Sequence, residues 1–205
     1  MDRGDSRVVE LEEWWRFLAA GVAKIRRTVE ADGEFPLSGV ELLELYTYKP
    51  PQDFSGDLYE RYKEDTDNYV KSTVLPPLKE MHGELLLRGL VERWGKYKRI
   101  VKFQMMVFRY LEHYYIPKKA LPPLQKVSFT SFQDMVFNEI KSTVTATVIG
   151  MIDDEREGKS IDRDLLNNVL DIFTFFNATT NYYSRKAQTL NKECSDHDYM
   201  LKVSI

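Results

Sequence analysis

The apolar residues Val8, Leu11, Trp15, Leu18, Val22, Ile25 and Val29 recur at alternating steps of three and four. That spacing lays one apolar stripe along a helix and cannot be read as a half-buried strand, which needs steps of two. Glu10, Glu12, Glu13, Arg16, Lys24, Arg26 and Arg27 flank the stripe with charge, as expected for a helix packing one face into a bundle. The first element therefore commits the chain to helix-on-helix packing, and the text beyond it offers no alternating run bounded by hairpin turns. The fold class predicted is all-α.

Later segments repeat the pattern with legible ends. Ser38 followed three residues later by Glu41 is a capping box opening a short helix with Val40, Leu42, Leu43, Leu45 and Tyr46, which must stop near Lys49-Pro50-Pro51. A third helix is predicted from about Ser55 through Leu58, Tyr59, Tyr62 and Tyr69, bent or interrupted at Pro76-Pro77. Met81 to Tyr115 reads as two helices with a break near Gly95, closed by Pro117 and the Leu121-Pro122-Pro123 turn. A long helix is predicted from about Phe132 to Arg156. Gly158 then permits a left-handed turn, and Asp162 or Ser160 can cap a further helix carrying Leu165, Leu166, Val169, Leu170, Ile172 and Phe173. Residues 7–156 are expected to form one bundle, and 157–205 an abbreviated second one with a polar tail.

The search for chemistry is negative. His82, His113 and His197 share no metal-ligand spacing, and Cys194, the single cysteine, leaves no disulfide framework, so neither a metal nor a cofactor is expected. There is no phosphate-cradling glycine loop or nucleophile elbow, and the Asp153-Asp154 and Glu155/Glu157 pairs sit in a charged helix end rather than a buried dyad. An enzyme is not expected. Net charge is −3, so the short clusters Lys96-Tyr97-Lys98-Arg99 and Lys118-Lys119 read as exposed helix faces, with no nucleic-acid partner expected. No run approaches a membrane span, and the expected location is cytoplasm and/or nucleus.

Several separate wordings resemble the cullins, the scaffolds of multisubunit ubiquitin ligases, and plant cullins of the SCF type in particular. They are Gly21-Val22-Ala23-Lys24-Ile25, Glu44-Leu45-Tyr46-Thr47, Tyr48-Lys49-Pro50-Pro51-Gln52-Asp53-Phe54-Ser55, Leu87-Arg88-Gly89-Leu90-Val91-Glu92-Arg93-Trp94, and the corner Glu155-Arg156-Glu157-Gly158-Lys159-Ser160-Ile161-Asp162-Arg163. The resemblance implies a cullin-repeat helical bundle, about one five-helix repeat plus an abbreviated start of a second. It implies a non-catalytic scaffold in ubiquitin-dependent protein catabolism, binding a Skp-type adaptor, and through it F-box proteins, by the second and fifth helices. Carried over residue by residue, the contacts fall on Leu42, Leu45 and Tyr46 of the second helix and on Arg109, Tyr110 and His113 of the fifth.

Two departures shape the expectation. Beyond Thr47 the family's second helix runs on for roughly two more turns, whereas here Tyr48 leads straight into Lys49-Pro50-Pro51, so adaptor binding is expected to be weakened. The chain reads as a truncated cullin without the region that binds the RING-box protein, so no RING-box partner is expected. The alternative is a helical interaction protein that has lost adaptor binding and self-associates or is inert.

Overall fold

The computed structural model describes residues 3–34, 36–47 and 54–177; the side chains of residues 3–6, Leu42 and Tyr46 lie outside that description. Among the described residues every regular element is helical. The chain divides into two compact units, Met1–Ile149 and Gly150–Ile205.

The first unit opens with α1 (Arg3–Glu30), then α2 (Gly39–Thr47) and α3 (Ser55–Tyr69). α3 passes through a π turn, Val70–Val74, into α4 (Leu75–Glu80). α5 (Gly83–Val107) follows, then a π turn, Leu111–Tyr115, running into α6 (Ile116–Lys119). α7 (Leu124–Phe132) leads through a third π turn, Gln133–Phe137, into α8 (Asn138–Arg156). α5 is the central element: α1, α2 and α7 all pack on it, and α3 packs on α7.

The stripe of α1 is buried from Leu18 through Val22, Ile25 and Val29, but Val8 is 57% exposed and Trp15 only half-buried, so the packed part begins further along than the periodicity suggests. Trp94 and Tyr97 of α5 place their rings 4.9 and 5.1 Å from Phe132. Two buried phenols meet one serine: the Tyr62 hydroxyl lies 2.6 Å from Ser128 Oγ, and the Tyr97 hydroxyl donates to the Ser128 carbonyl at 2.7 Å. Both polar tips are therefore satisfied, as buried polar groups must be. Burial pushes the Tyr62 phenol up to about 12.

Four predicted boundaries move. α5 runs unbroken through Gly95, and the helix is interrupted instead at Phe108 (φ −95°, ψ 25°). A single glycine costs a helix only about 1 kcal/mol, less than Trp94, Tyr97 and Ile100 contribute by burial on either side of it. Pro76-Pro77 does not interrupt the third helix, and Pro117 likewise sits inside α6. Each follows a π turn in which the N–H of the residue just before the proline reaches back five residues, Leu75 to Val70 and Ile116 to Leu111. The wider turn gives the proline ring room that an α turn denies it. The helix predicted from Phe132 begins eight residues earlier, at Leu124, whose N–H donates to the Glu112 carboxylate at 3.0 Å.

In the second unit, the end of α8 closes with Lys159 N–H donating to the Asp154 carbonyl (2.9 Å), Gly158 N–H to Glu155 (2.9 Å), and Gly158 left-handed at φ +84°. This is the paired hydrogen-bond pattern of a Schellman terminus. Asp162 Oδ1 accepts from the Leu165 N–H at 2.9 Å, so Asp162 is the cap of the next helix, which runs over 163–177.

Candidate docking face

α2 is held at both ends by local chemistry. Ser38 N–H and Oγ donate to Glu41 Oε2 at 2.9 and 2.7 Å, while Glu41 N–H donates back to Ser38 Oγ at 3.3 Å, the two arms of the capping box. Lys24 of α1 donates to both Glu41 oxygens, at 2.5 and 2.7 Å, tying the start of α2 to α1. The Lys24 ammonium first, and the Ser38 N–H and hydroxyl next, hold the Glu41 carboxyl down to about 2. At the far end Thr47 Oγ1 donates to the Leu43 carbonyl at 2.9 Å.

The same helix is seated by Leu45, which is buried over Gly21 of α1. A Cβ added at Gly21 would lie 3.4 Å from Leu45 Cδ1 and 3.8 Å from Val107 Cγ2, so the second helix and the last residue of α5 meet at one bare glycine. Directly after Val107 come Phe108 and the segment that carries the remaining predicted residues. Phe108 is buried, its ring 4.9 Å from Tyr62 and 6.3 Å from Trp15. Leu111 is buried too, and the Glu112 carboxylate faces the start of α7. Those anchors leave Arg109 and His113 on the outside, Tyr110 half-buried with its ring 5.4 Å from Tyr114, and Tyr114 itself 63% exposed.

Of the six predicted contact residues, Arg109 and His113 are exposed, Tyr110 is half-buried and Leu45 is a core residue; the side chains of Leu42 and Tyr46 lie outside the described residues. The solvent face of α2 presents Val40 (68% exposed) and Leu43 (62%) instead, and Met106 and Tyr114 are exposed near the end of α5 and just beyond it. Val40 and Leu43 escaped the sequence reading because α2 carries apolar residues on several sides, and periodicity does not single out one face of such a short helix.

The acidic pairs near the end of α8 are ion-paired on the surface: Asp153 with Arg156, Asp154 and Glu157 with Lys159, Glu155 with Arg163. Among the described residues no three His, Cys, Asp or Glu side chains gather as a metal site, and no helix is long and apolar enough to cross a membrane. Cys194 and His197 lie outside the described residues.

The model of the cullin alpha solenoid domain matches residues 15–205. The chain belongs to the cullin family. It is 41% identical to cullin-1 of Oryza sativa subsp. japonica over 87% of this chain and 25% of that protein. It is 38% identical to a putative cullin-like protein 1 of Arabidopsis thaliana, covering 96% of this chain and 30% of that one. A cullin-like protein 3 of Arabidopsis thaliana is 33% identical over 95% of this chain and 84% of its own length. The chain thus spans about a quarter to a third of the first two relatives, and its all-α cullin fold agrees with the solenoid those matches describe.

Proposed function

We propose that this cullin chain is a non-catalytic scaffold module that binds a Skp-type adaptor of SCF ubiquitin ligases, in the cytoplasm or nucleus, and through it F-box substrate receptors. The observation that carries this reading is the meeting of α2 and the end of α5 at Gly21. It joins α2, whose solvent side carries Val40 and Leu43, to the end of α5, where Met106 is exposed and beyond which Arg109, His113 and Tyr114 are exposed too. Exposed apolar residues interspersed with arginine and tyrosine are the composition in which protein interfaces concentrate their energy. The α2 face is short, so affinity is weaker than a longer second helix gives. The test is titration of the full chain with a purified Skp-type adaptor: saturable binding in the micromolar range supports the reading, and none overturns it.

A second reading, self-association, draws on the second unit. Leu170 is 44% and Phe175 37% exposed on the helix over 163–177, whereas Ile172 and Phe176 on the same helix are buried. Leu170 and Phe175 each leave a large apolar side chain open to a second copy of the chain. Concentration-dependent sedimentation that Leu170→Ser with Phe175→Ser abolishes would favour it; a concentration-independent monomer would remove it.

A further inference from the structure

Residues 93–111 contain six Lys and Arg and no Asp or Glu, in a chain whose net charge is −3. Three of these cations are engaged at the end of α1. Arg93 pairs with Glu30 at 2.8 Å, Lys96 with Asp32 at 3.2 Å and with Glu92 at 2.9 Å, and Arg99 donates to the Gly33 carbonyl at 2.5 Å. Lys98, Lys102 and Arg109 are exposed and follow one line along α5 and its continuation, with Met106 between them.

Several cations elsewhere on this surface meet carboxylates: Lys24 with Glu41, Lys63 with Glu60, Lys79 with Glu139, Arg88 with Glu84. Lys98 instead has its ammonium 5.5 Å from the Trp94 ring centroid, and among the described residues neither it nor Lys102 has a carboxylate partner. Like charges one turn apart oppose each other on a helix, so this line does not serve the stability of α5. It does suit an opposite charge brought from outside.

We infer that the line Lys98–Lys102–Met106–Arg109 extends the adaptor-docking face and receives an acidic segment of the adaptor, with Met106 covered by an apolar side chain of that segment. The inference rests on the reading above and adds the partner's chemistry. From position 98 to 109 the line is about 16 Å long at the rise of an α-helix, which about five extended residues of a partner match. Three cations in a single row beside exposed Met106 favour a protein over a nucleic acid, whose phosphates call for a broader basic surface on a chain of opposite net charge.

The experiment compares the wild-type full chain with K98E/K102E, each titrated with purified Skp-type adaptor at about 50 mM and about 500 mM salt, a range over which exposed charges pass from felt to screened. The expected result is binding weakened about tenfold or more at low salt in the variant, with most of the wild-type salt dependence gone. K98Q/K102Q, which removes charge without reversing it, is expected to lie between the two and guards against misfolding of the reversed variant. Equal affinity and equal salt dependence in all three proteins would overturn the acidic-partner inference while leaving adaptor binding intact. Absence of wild-type binding at either salt would overturn the adaptor reading and this inference with it. Tight binding of a duplex or single-stranded oligonucleotide that K98E/K102E abolishes would reassign the line to phosphate and overturn it as well.

Discussion

Leu45 of α2 packs at the bare backbone of Gly21 in α1, where an added Cβ would lie 3.4 Å from Leu45 Cδ1. That distance is ordinary contact for one methyl group and none for a larger side chain. Gly21→Ala is therefore expected to stabilise the protein by about 0.5–1 kcal/mol, the usual gain of alanine over glycine inside a helix. Gly21→Leu is expected to cost about 1–3 kcal/mol by overpacking and to weaken adaptor binding by displacing α2. Urea melts of the two variants check the opposite signs; a destabilised Gly21→Ala would show that the site is closed even to a methyl.

Leu43 and Leu45 stand two positions apart on α2 with opposite roles. Leu45→Ala is expected to cost about 2–5 kcal/mol because it empties a core position. Leu43→Asp, at a 62% exposed site, is expected to change stability by no more than about 0.5 kcal/mol yet to weaken adaptor binding at least about tenfold, the loss of one anchor. A melt and a binding titration on each variant separate the two effects.

Ser128 serves two phenols in the core, one through its hydroxyl and one through its carbonyl. Ser128→Ala strands the Tyr62 hydroxyl and is expected to cost about 1–3 kcal/mol, while Tyr62→Phe combined with Ser128→Ala is expected to recover most of that loss. Additive losses in the double-mutant cycle would show that the two hydroxyls do not depend on each other.

Glu41 carries the acid sensitivity of α2. Its carboxyl lies at about 2 in the folded protein against an ordinary value of 4.5, so the folded state holds the ionised form more strongly than the unfolded chain does. The resulting stabilisation is fully present above about pH 4.5 and is lost as the pH falls towards 2. The stability difference between wild type and Glu41→Gln should be flat from pH 7 to about 5 and shrink below that. A difference that grows on acidification would contradict the Lys24–Ser38–Glu41 arrangement.

At the corner between α8 and the helix over 163–177, Gly158→Ala is expected to cost about 1 kcal/mol, because alanine is strained at φ +84°. Asp162→Ala is expected to cost a similar amount, about 1 kcal/mol, by removing the cap of the Leu165 N–H. Circular dichroism melts of both variants measure this, and an unchanged Asp162→Ala would mean that water replaces the carboxylate.

The helix start at Ser38 and the corner at Gly158–Asp162 were legible in the sequence because their causes lie within a few residues of one another. The Ser38–Glu41 box and the Gly158–Asp162 corner are local hydrogen bonds whose donors, acceptors and backbone angles the residue types dictate on the spot. Helix interiors were not legible in the same way. Gly95 and the prolines at 76, 77 and 117 signal breaks that the molecule does not make, since buried aromatic neighbours outweigh the glycine and π turns relieve the prolines. The contact residues divided likewise. The resemblance pointed to two segments, but which leucine of α2 faces the core depended on Gly21 in a different helix.

Local spacing and capping by themselves determined that this chain is all-α, and its wording marked it as a cullin. Tertiary structure alone decided which side of α2 is wet, where α5 ends, and which cations along α5 pair with a carboxylate. The physical reason is range: periodicity and caps are set by neighbours three and four residues away, whereas burial and charge pairing are set by side chains that the fold brings from far along the chain, as Leu45 and Val107 are brought to Gly21 and Arg93 to Glu30.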